Sequence, residues 1–130
     1  MWRDPIYDRT QADVDNRTAK AYLNISDLNR IEENIQYLSD IFTAGTIRKI
    51  WNYESLPTVE EFERILENID KLKAKWSVPE IEATPTNPIN TFEKVNTIER
   101  LINEIYTNYR QYMTSDQIIY CGEIYAGDLV

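Results

Sequence analysis

The stretch SDLNRIEENIQYL, residues 26–38, decides the fold because it carries a clear helical spacing. The apolar residues of the stretch and its continuation recur at steps of three and four: Leu28, Ile31, Ile35, Leu38 and Phe42. Ser26 precedes this run as a candidate N-cap, and Gly45 follows it as a candidate terminator. The pattern predicts an amphipathic helix over 27–43.

Two later stretches repeat this spacing. The second helix is predicted over 59–76, where Thr58 and Glu61 have the spacing of a reciprocal capping box. The third is predicted over 92–113, with Asn90 or Thr91 as its cap. Their apolar stripes are Val59, Phe62, Ile65, Ile69, Leu72 and Trp76 in one helix, and Val95, Ile98, Ile102, Ile105, Tyr109 and Tyr112 in the other. Three helices of similar length favour side-by-side packing in a bundle.

The remaining stretches complete the expected architecture. Thr10 and Asp13 have capping-box spacing, which allows a fourth helix over 11–21. GTIRKIWNYESLP (45–57) fits a short strand or a packed turn, and the proline-bearing stretch 77–90 fits a crossover that returns the chain along the bundle. Residues 118–130 have strand propensity. We therefore expect one mainly α domain over 1–130: a bundle of three helices, or of four, with an extended, β-like C-terminal tail.

Residues 28–38 and 62–72 form a doubled phrase, with six identities in eleven positions. Three of the identities are apolar seam positions that any bundle helix fills alike. The outer echoes are Arg30/Arg64, Glu33/Glu67 and Asn34/Asn68, and the third helix has Leu101 where the asparagine would fall. We interpret the repeat as the trace of packed helices rather than a site built twice, and its period as helix plus loop length. Asn34 and Asn68 are nevertheless able to hydrogen-bond the backbone of a neighbouring loop.

Residue types that support catalysis and metal binding are scarce. The sequence has no histidine and a single cysteine, Cys121, so a zinc cage and the commonest general base are both missing. DRTQADVDN (8–16) resembles part of a calcium loop but lacks the central glycine and the closing glutamate. Glu32, Glu33 and Glu99 could face one another across a bundle, but without Glu-x-x-His partners we expect them on a solvated face. The sequence therefore predicts no catalytic residue, no metal site and no cofactor.

The charge balance argues against nucleic-acid and membrane partners. Acidic residues outnumber basic ones 22 to 14, for a formal charge of -8, and no compact basic cluster interrupts them. Such a chain is expected to repel phosphate backbones and anionic lipid surfaces. No stretch reaches the roughly 18 apolar residues of a spanning helix. The lone Cys121 cannot form an internal disulfide, which fits a reducing compartment.

Aromatic residues are the best candidates for partner contacts. Nine tyrosines and three tryptophans in 130 residues exceed what a bundle core needs. Tyrosine combines a large contact area with one polar atom, which suits protein interfaces. We select Trp51 and Tyr53, in a loop, and Tyr120 and Tyr125, in the strand-like tail. The competing role for the tail tyrosines is to cover the end of the bundle.

Five segments carry a resemblance to a known group of proteins. They are YDRTQADVD (7–15), KAYLNISDLNRIEENIQYL (20–38), LPTVEEFERILENI (56–69), NTIERLI (96–102) and YCGEIYAGD (120–128). These resemble segments of uncharacterised proteins from the tail, baseplate or tail-fibre region of tailed phages and prophages of Gram-positive bacteria. The resemblance spans nearly the whole chain. It implies a structural or assembly role in the virion without identifying a catalytic or binding residue.

The resemblance leads us to expect a non-enzymatic virion structural or assembly protein, made and assembled in the bacterial host cytoplasm. Its partners would be other virion proteins, with a homo-oligomer as an option because virion parts are usually symmetric. The alternative is a prophage-encoded cytoplasmic adaptor or regulator that binds a host protein through its acidic helical surface. A carboxylate enzyme or metal-binding module is the third class, and it requires a concave site around Glu32, Glu33 and Glu99.

Overall fold

Four helices form the described part of the chain. The computed structural model describes residues 2–18, 20, 23–52 and 57–121, with side chains described as far as Thr114. Within these residues the chain is mainly helical and contains no β-strand. The helices are α1 Gln11–Asp15, α2 Ile25–Phe42, α3 Val59–Lys75 and α4 Phe92–Cys121. The predicted helical bundle is confirmed.

The helix ends agree with the sequence pattern in α2 and α3 and differ in α1 and α4. α1 ends at Asp15 rather than at 21, although Thr10 and Asp13 form the predicted capping box. α4 continues to Cys121, so Ile118 belongs to a helix and not to the expected extended tail. The rest of that tail, 122–130, lies outside the described residues.

Each bundle helix begins at a side chain that accepts a hydrogen bond from its own first turn. In α2 this side chain is Asn24 rather than Ser26, because Asn24 and Asp27 form a capping box. Thr91 accepts from the Lys94 amide at 3.2 Å at the start of α4. These bonds satisfy amides that have no partner inside the helix.

α2 and α4 run in the same direction. Arg30 of α2 binds Glu99 of α4, with Arg30 Nε 2.8 Å from Glu99 Oε1. Further along both helices, Tyr37 packs edge-on against Tyr106 with ring centroids 6.0 Å apart. Since both contacts advance toward the C-terminus together, the two helices are parallel.

α3 is parallel to α2 for the same reason. Arg64 of α3 binds Glu32 of α2, with Arg64 Nη1 3.0 Å from Glu32 Oε1. Toward the C-terminal ends, Trp76 just past α3 stacks on Phe42 with centroids 5.2 Å apart. Because all three helices are parallel, each connection between them must travel back along the bundle.

Parallel packing places equivalent positions of the three helices at the same height. The offset is 34 residues from α2 to α3 and 67 residues from α2 to α4, as in 28, 62 and 95. Four layers follow: Leu28/Phe62/Val95, Ile31/Ile65/Ile98, Ile35/Ile69/Ile102 and Leu38/Leu72/Ile105. All of these side chains are buried. Burying a side chain of this size contributes about 1.5–3 kcal/mol, and isoleucine in successive layers suits three parallel helices.

A fifth layer of aromatic rings closes the C-terminal end of the core. Phe42, Trp76 and Tyr109 form a triangle with centroid distances of 5.2, 5.5 and 5.4 Å. Trp76 Nε1 donates to Asn108 Oδ1 at 2.8 Å, and the exposed Tyr112 ring lies edge-on to the indole. The hydrogen bond satisfies the one polar atom of the indole.

The segments outside the helices lie in the grooves between them. The N-terminal segment (2–10) lies between α2 and α4, and the α2–α3 segment (44–52) lies between α2 and α3. The α3–α4 segment (77–90) returns along α3 and α4 as predicted, where Lys73 Nζ donates to the Glu82 carbonyl and Arg100 pairs with the Glu82 carboxylate. The described part of 45–57 forms no strand.

Candidate functional site

Two asparagines of the doubled phrase hold the main chain of neighbouring segments. Asn34 accepts from Arg3 N at 2.8 Å and donates to the Arg3 carbonyl at 2.7 Å. Asn68 accepts from the Ile47 amide at 3.1 Å and donates to the Ile47 carbonyl at 2.8 Å. The prediction that Asn34 and Asn68 bind the backbone of a neighbouring loop is confirmed.

Two further asparagines repeat this arrangement at the other end of each segment. Asn96 brackets Arg9: its side chain accepts from the Arg9 amide at 3.2 Å and donates to the Arg9 carbonyl at 2.9 Å. Asn29 brackets those of Trp51 at 2.8 and 3.2 Å. A side-chain amide that accepts from and donates to the same residue supplies the two hydrogen bonds that a neighbouring β-strand would otherwise make. It thereby fixes the register of an extended chain. This role of Asn29 and Asn96 does not follow from helical spacing, although NRIE (29–32) and NTIE (96–99) repeat.

A buried ionic cluster lies between the two asparagines that hold the N-terminal segment. Glu99 is 1% exposed and accepts from Arg30 Nε and Nη2 at 2.8 and 2.7 Å and from Arg9 Nη2 at 3.0 Å. It also accepts from Ile6 N at 3.1 Å. Asp27 lies 2.6 Å from Arg30 Nη2 and 3.4 Å from Arg9 Nη2. Two arginines and two carboxylates therefore make a cluster with no net charge, which is the condition for burying ions.

A second cluster lies between the asparagines that hold the α2–α3 segment. Glu32, also 1% exposed, is bound by both terminal nitrogens of Arg64. It accepts from Trp51 Nε1 at 2.9 Å and from Lys49 N at 3.4 Å. Arg64 Nη1 also donates to the Ile47 carbonyl at 2.7 Å. The carboxylate thus joins two helices and the segment between them.

The expectation of a solvated carboxylate face is wrong for Glu32 and Glu99. Both are buried, and they lie in different grooves, each neutralised by arginine. Only Glu33 is partly exposed, and it pairs with Arg3 at 3.3 Å and Arg48 at 3.6 Å. The error has a simple cause: these glutamates flank the apolar stripe, and each is covered by a segment outside its own helix. No group of metal-binding side chains occurs among the residues described.

The two clusters are equivalent: α2 of the first corresponds to α3 of the second at an offset of 34 residues, and α4 of the first corresponds to α2 of the second at an offset of 67 residues. Corresponding pairs are Asp27/Glu61, Arg30/Arg64, Asn34/Asn68, Glu99/Glu32, Asn96/Asn29 and Arg9/Trp51. In the third groove, between α3 and α4, the same positions hold Leu66, Thr97, Leu101 and Glu63. The period is therefore not a coincidence of helix and loop length: it relates two copies of one structural site around a pseudo-threefold bundle.

Arg30 and Arg64, one in each cluster, are held in the charged state. Burial of Arg30 acts to lower its pKa, but hydrogen bonds and charge attraction from Glu99 and Asp27 outweigh this and raise the pKa above its ordinary value. The hydrogen bonds that Arg64 donates to Glu32 likewise raise the pKa of Arg64. Their chemistry is therefore ion pairing and not proton transfer.

Glu61 joins the second cluster instead of closing the predicted capping box. Thr58 accepts from the Glu61 amide at 3.2 Å, which is the first half of the box. The Glu61 carboxylate turns to Lys49 Nζ at 2.6 Å and Arg64 Nε at 3.1 Å. The hydrogen bond from Lys49, followed by that from Arg64, lowers the pKa of Glu61.

The structure moves the proposed contact surface away from Trp51. Trp51 is 3% exposed, so it belongs to the core and is not available to a partner. On the same segment, Ile47 and Ile50 are 60% and 71% exposed. Tyr53 and Tyr125 lie outside the described residues, as does the side chain of Tyr120. The exposed apolar surface of the α2–α3 segment was missed because its sequence does not show which side faces the groove.

Comparisons with known proteins give no relative for this chain. No protein-family description, no curated protein and no solved structure matches it. Within the described residues, none of the helices combines the length and apolar character needed to cross a membrane.

Proposed function

We propose that this chain is a non-enzymatic structural or assembly protein of a tailed phage or prophage, associated with the tail, baseplate or tail fibre. The observation that carries the non-enzymatic role is the use of the buried polar groups. Glu32, Glu99 and the four asparagines all bind the chain's own backbone and side chains. The resemblance of the five segments supports the phage assignment.

In this proposal the bundle is a rigid spacer that acts through protein–protein contacts. A buried ion pair and main-chain hydrogen bonds hold the α2–α3 segment in its groove, so the position of this segment is fixed by the helices. The contact surface includes Ile47 and Ile50, with Tyr53, Tyr120 and Tyr125 as the sequence-based candidates. Exposed apolar side chains on a fixed segment suit a virion contact, because little conformational entropy is lost on binding.

Mass spectrometry of purified phage particles tests the proposal. We expect peptides of this chain at a fixed stoichiometry to other tail proteins. Absence from particles would rule out the structural role, and absence together with failure to bind any tail intermediate would rule out assembly as well. Gene position among tail genes provides an independent check.

The formal charge of -8 favours the alternative of a prophage-encoded adaptor or regulator that binds a basic host protein. Binding through an acidic face would weaken steeply with salt, whereas contact through Ile47 and Ile50 would not. A salt titration of partner binding therefore separates the two roles. A gene position beside repressors would also favour the adaptor.

A further inference from the structure

We propose that the groove between α2 and α4 is a binding site for an extended, arginine-bearing peptide, and that residues 2–10 of a second copy of the chain can occupy it. In the structure its occupant is the chain's own N-terminal segment. The inference goes beyond the proposed function, because it names a partner and a contact and does not depend on a phage origin.

The groove forms hydrogen bonds with the main chain of the bound segment at three residues. Asn34 brackets Arg3, Glu99 accepts from the Ile6 amide, and Asn96 brackets Arg9. The contacts recur every third residue, and these main-chain hydrogen bonds by themselves require an extended backbone but no particular side chain. Main-chain recognition of this kind supplies affinity for extended peptides.

Arg9 gives the site its chemical preference. Its guanidinium binds Glu99 and Asp27 and donates to the carbonyls of Ile6 at 2.7 Å and Lys20 at 3.0 Å. Without Arg9 the groove would hold two carboxylates against one arginine and carry a buried negative charge. A planar cation with several donors matches these acceptors, and a lysine has fewer donors and a different shape.

An aromatic anchor marks the other end of the segment. Trp2 stacks on Tyr106 with ring centroids 3.8 Å apart and an interplanar angle of 12°, and Tyr37 packs against the same indole at 5.9 Å. The preferred occupant therefore has an aromatic residue seven positions before its arginine, as Trp2 and Arg9 have here. A second copy of the chain carries this pattern by definition.

The connectivity allows the exchange. The N-terminal segment precedes all three bundle helices, and α1, which links it to them, buries none of its residues. The same groove contacts are therefore available to a segment from another copy. The α2–α3 segment differs, because α2 and α3 flank it and its release would separate two core helices. A short tether gives the chain's own segment an effective concentration on the order of 1 mM, so exchange becomes appreciable near that local concentration.

Cross-linking between two single-cysteine variants tests the proposal. One full-length chain carries Arg3→Cys and the other Glu33→Cys, both with Cys121→Ser; Arg3 Nη1 and Glu33 Oε1 are 3.3 Å apart and both side chains are partly exposed. The two chains are refolded together at graded concentrations and treated with a short bifunctional maleimide. A 3–33 link can then form only between chains, and peptide mass spectrometry identifies it. The control replaces Glu33→Cys with Glu60→Cys, an exposed position on α3.

Exchange predicts a 3–33 link that exceeds the control several-fold. The link should increase with chain concentration up to about 1 mM, where the chain concentration equals the effective concentration of the chain's own segment. A link no stronger than the 3–60 control over this range would overturn the proposal. Arg9→Ala in the Arg3→Cys chain should lower the link about tenfold or more, since a buried charge loses its partner. Even if that chain fails to fold, its released segment remains available, so an undiminished link would refute recognition through arginine.

Discussion

Glu99→Gln tests whether the buried cluster between α2 and α4 holds the bundle together. The substitution keeps the size of the side chain but removes its charge, which leaves Arg9 and Arg30 with Asp27 alone. Four hydrogen bonds converge on the carboxylate, from Ile6 N, Arg9 Nη2 and two nitrogens of Arg30. An uncompensated charge in a buried pair costs about 3–5 kcal/mol.

This loss is a large fraction of the stability available to the chain. Domains of ordinary size are stable by about 5–15 kcal/mol, and the urea slope is about 1–3 kcal/mol/M. The urea midpoint followed by circular dichroism should therefore drop by on the order of 2 M. Glu33→Gln is the matched control: Glu33 is partly exposed, and its surface pairs contribute below about 1 kcal/mol.

The third groove supplies a rescue experiment. Leu66 and Thr97 occupy there the positions of Glu99 and Arg30. Glu99→Leu alone should destabilise strongly, whereas Glu99→Leu with Arg30→Thr leaves Arg9 paired with Asp27 and restores the charge balance. We expect the double variant to be more stable than additivity allows by about 1–3 kcal/mol. A cost below about 1 kcal/mol for Glu99→Gln, or strict additivity in the pair, would refute the reasoning.

Other consequences can be checked one residue at a time. Asn68→Ala should cost about 1–3 kcal/mol because the Ile47 amide loses its acceptor and the Ile47 carbonyl keeps only Arg64, and hydrogen exchange should accelerate at Ile47 but not at Arg3. Glu61 has a folded-state pKa below its ordinary 4.5, so the unfolded chain binds more protons and stability falls as the pH drops through the folded pKa. Glu61→Gln should therefore reduce the dependence of the urea midpoint on pH between about pH 3 and 6. An unchanged pH dependence would contradict the pairing of Glu61 with Lys49 and Arg64. Ile50→Ser should leave the free energy of unfolding within about 0.5 kcal/mol while weakening partner binding, and a large stability loss would show that Ile50 belongs to the core.

The core of the fold was predictable because it is local. The apolar stripes that include Ile31, Ile65 and Ile98 recur at helical spacing, and this spacing is enough to identify an amphipathic helix from the sequence. Parallel packing was not predictable from one helix at a time. It is visible only in the offset that aligns the three stripes, and the combined length of a helix and a loop explains that offset equally well from the sequence alone.

The backbone-binding asparagines and the buried ionic clusters were predictable in part. The backbone role of Asn34 and Asn68 followed from an amide beside an apolar seam. The burial of Glu32 and Glu99 did not follow, because each is covered by a segment outside its own helix, and for Glu99 that segment is remote: Arg9 and Glu99 are 90 residues apart. A repeated glutamate three positions after a repeated asparagine, as in NRIE and NTIE, is the signal that was available.

Parallel helices also determine the order in which the chain can assemble during synthesis. The groove for residues 2–10 needs α4, and Glu99 is made 90 residues after Arg9. At about 5–20 residues per second on the ribosome, that delay is roughly 5–20 s. Long-range closure of this kind also slows folding, since few contacts form early to offset the loss of chain entropy. The N-terminal segment is therefore synthesised before the bundle helices and is among the last parts of the chain to reach its site.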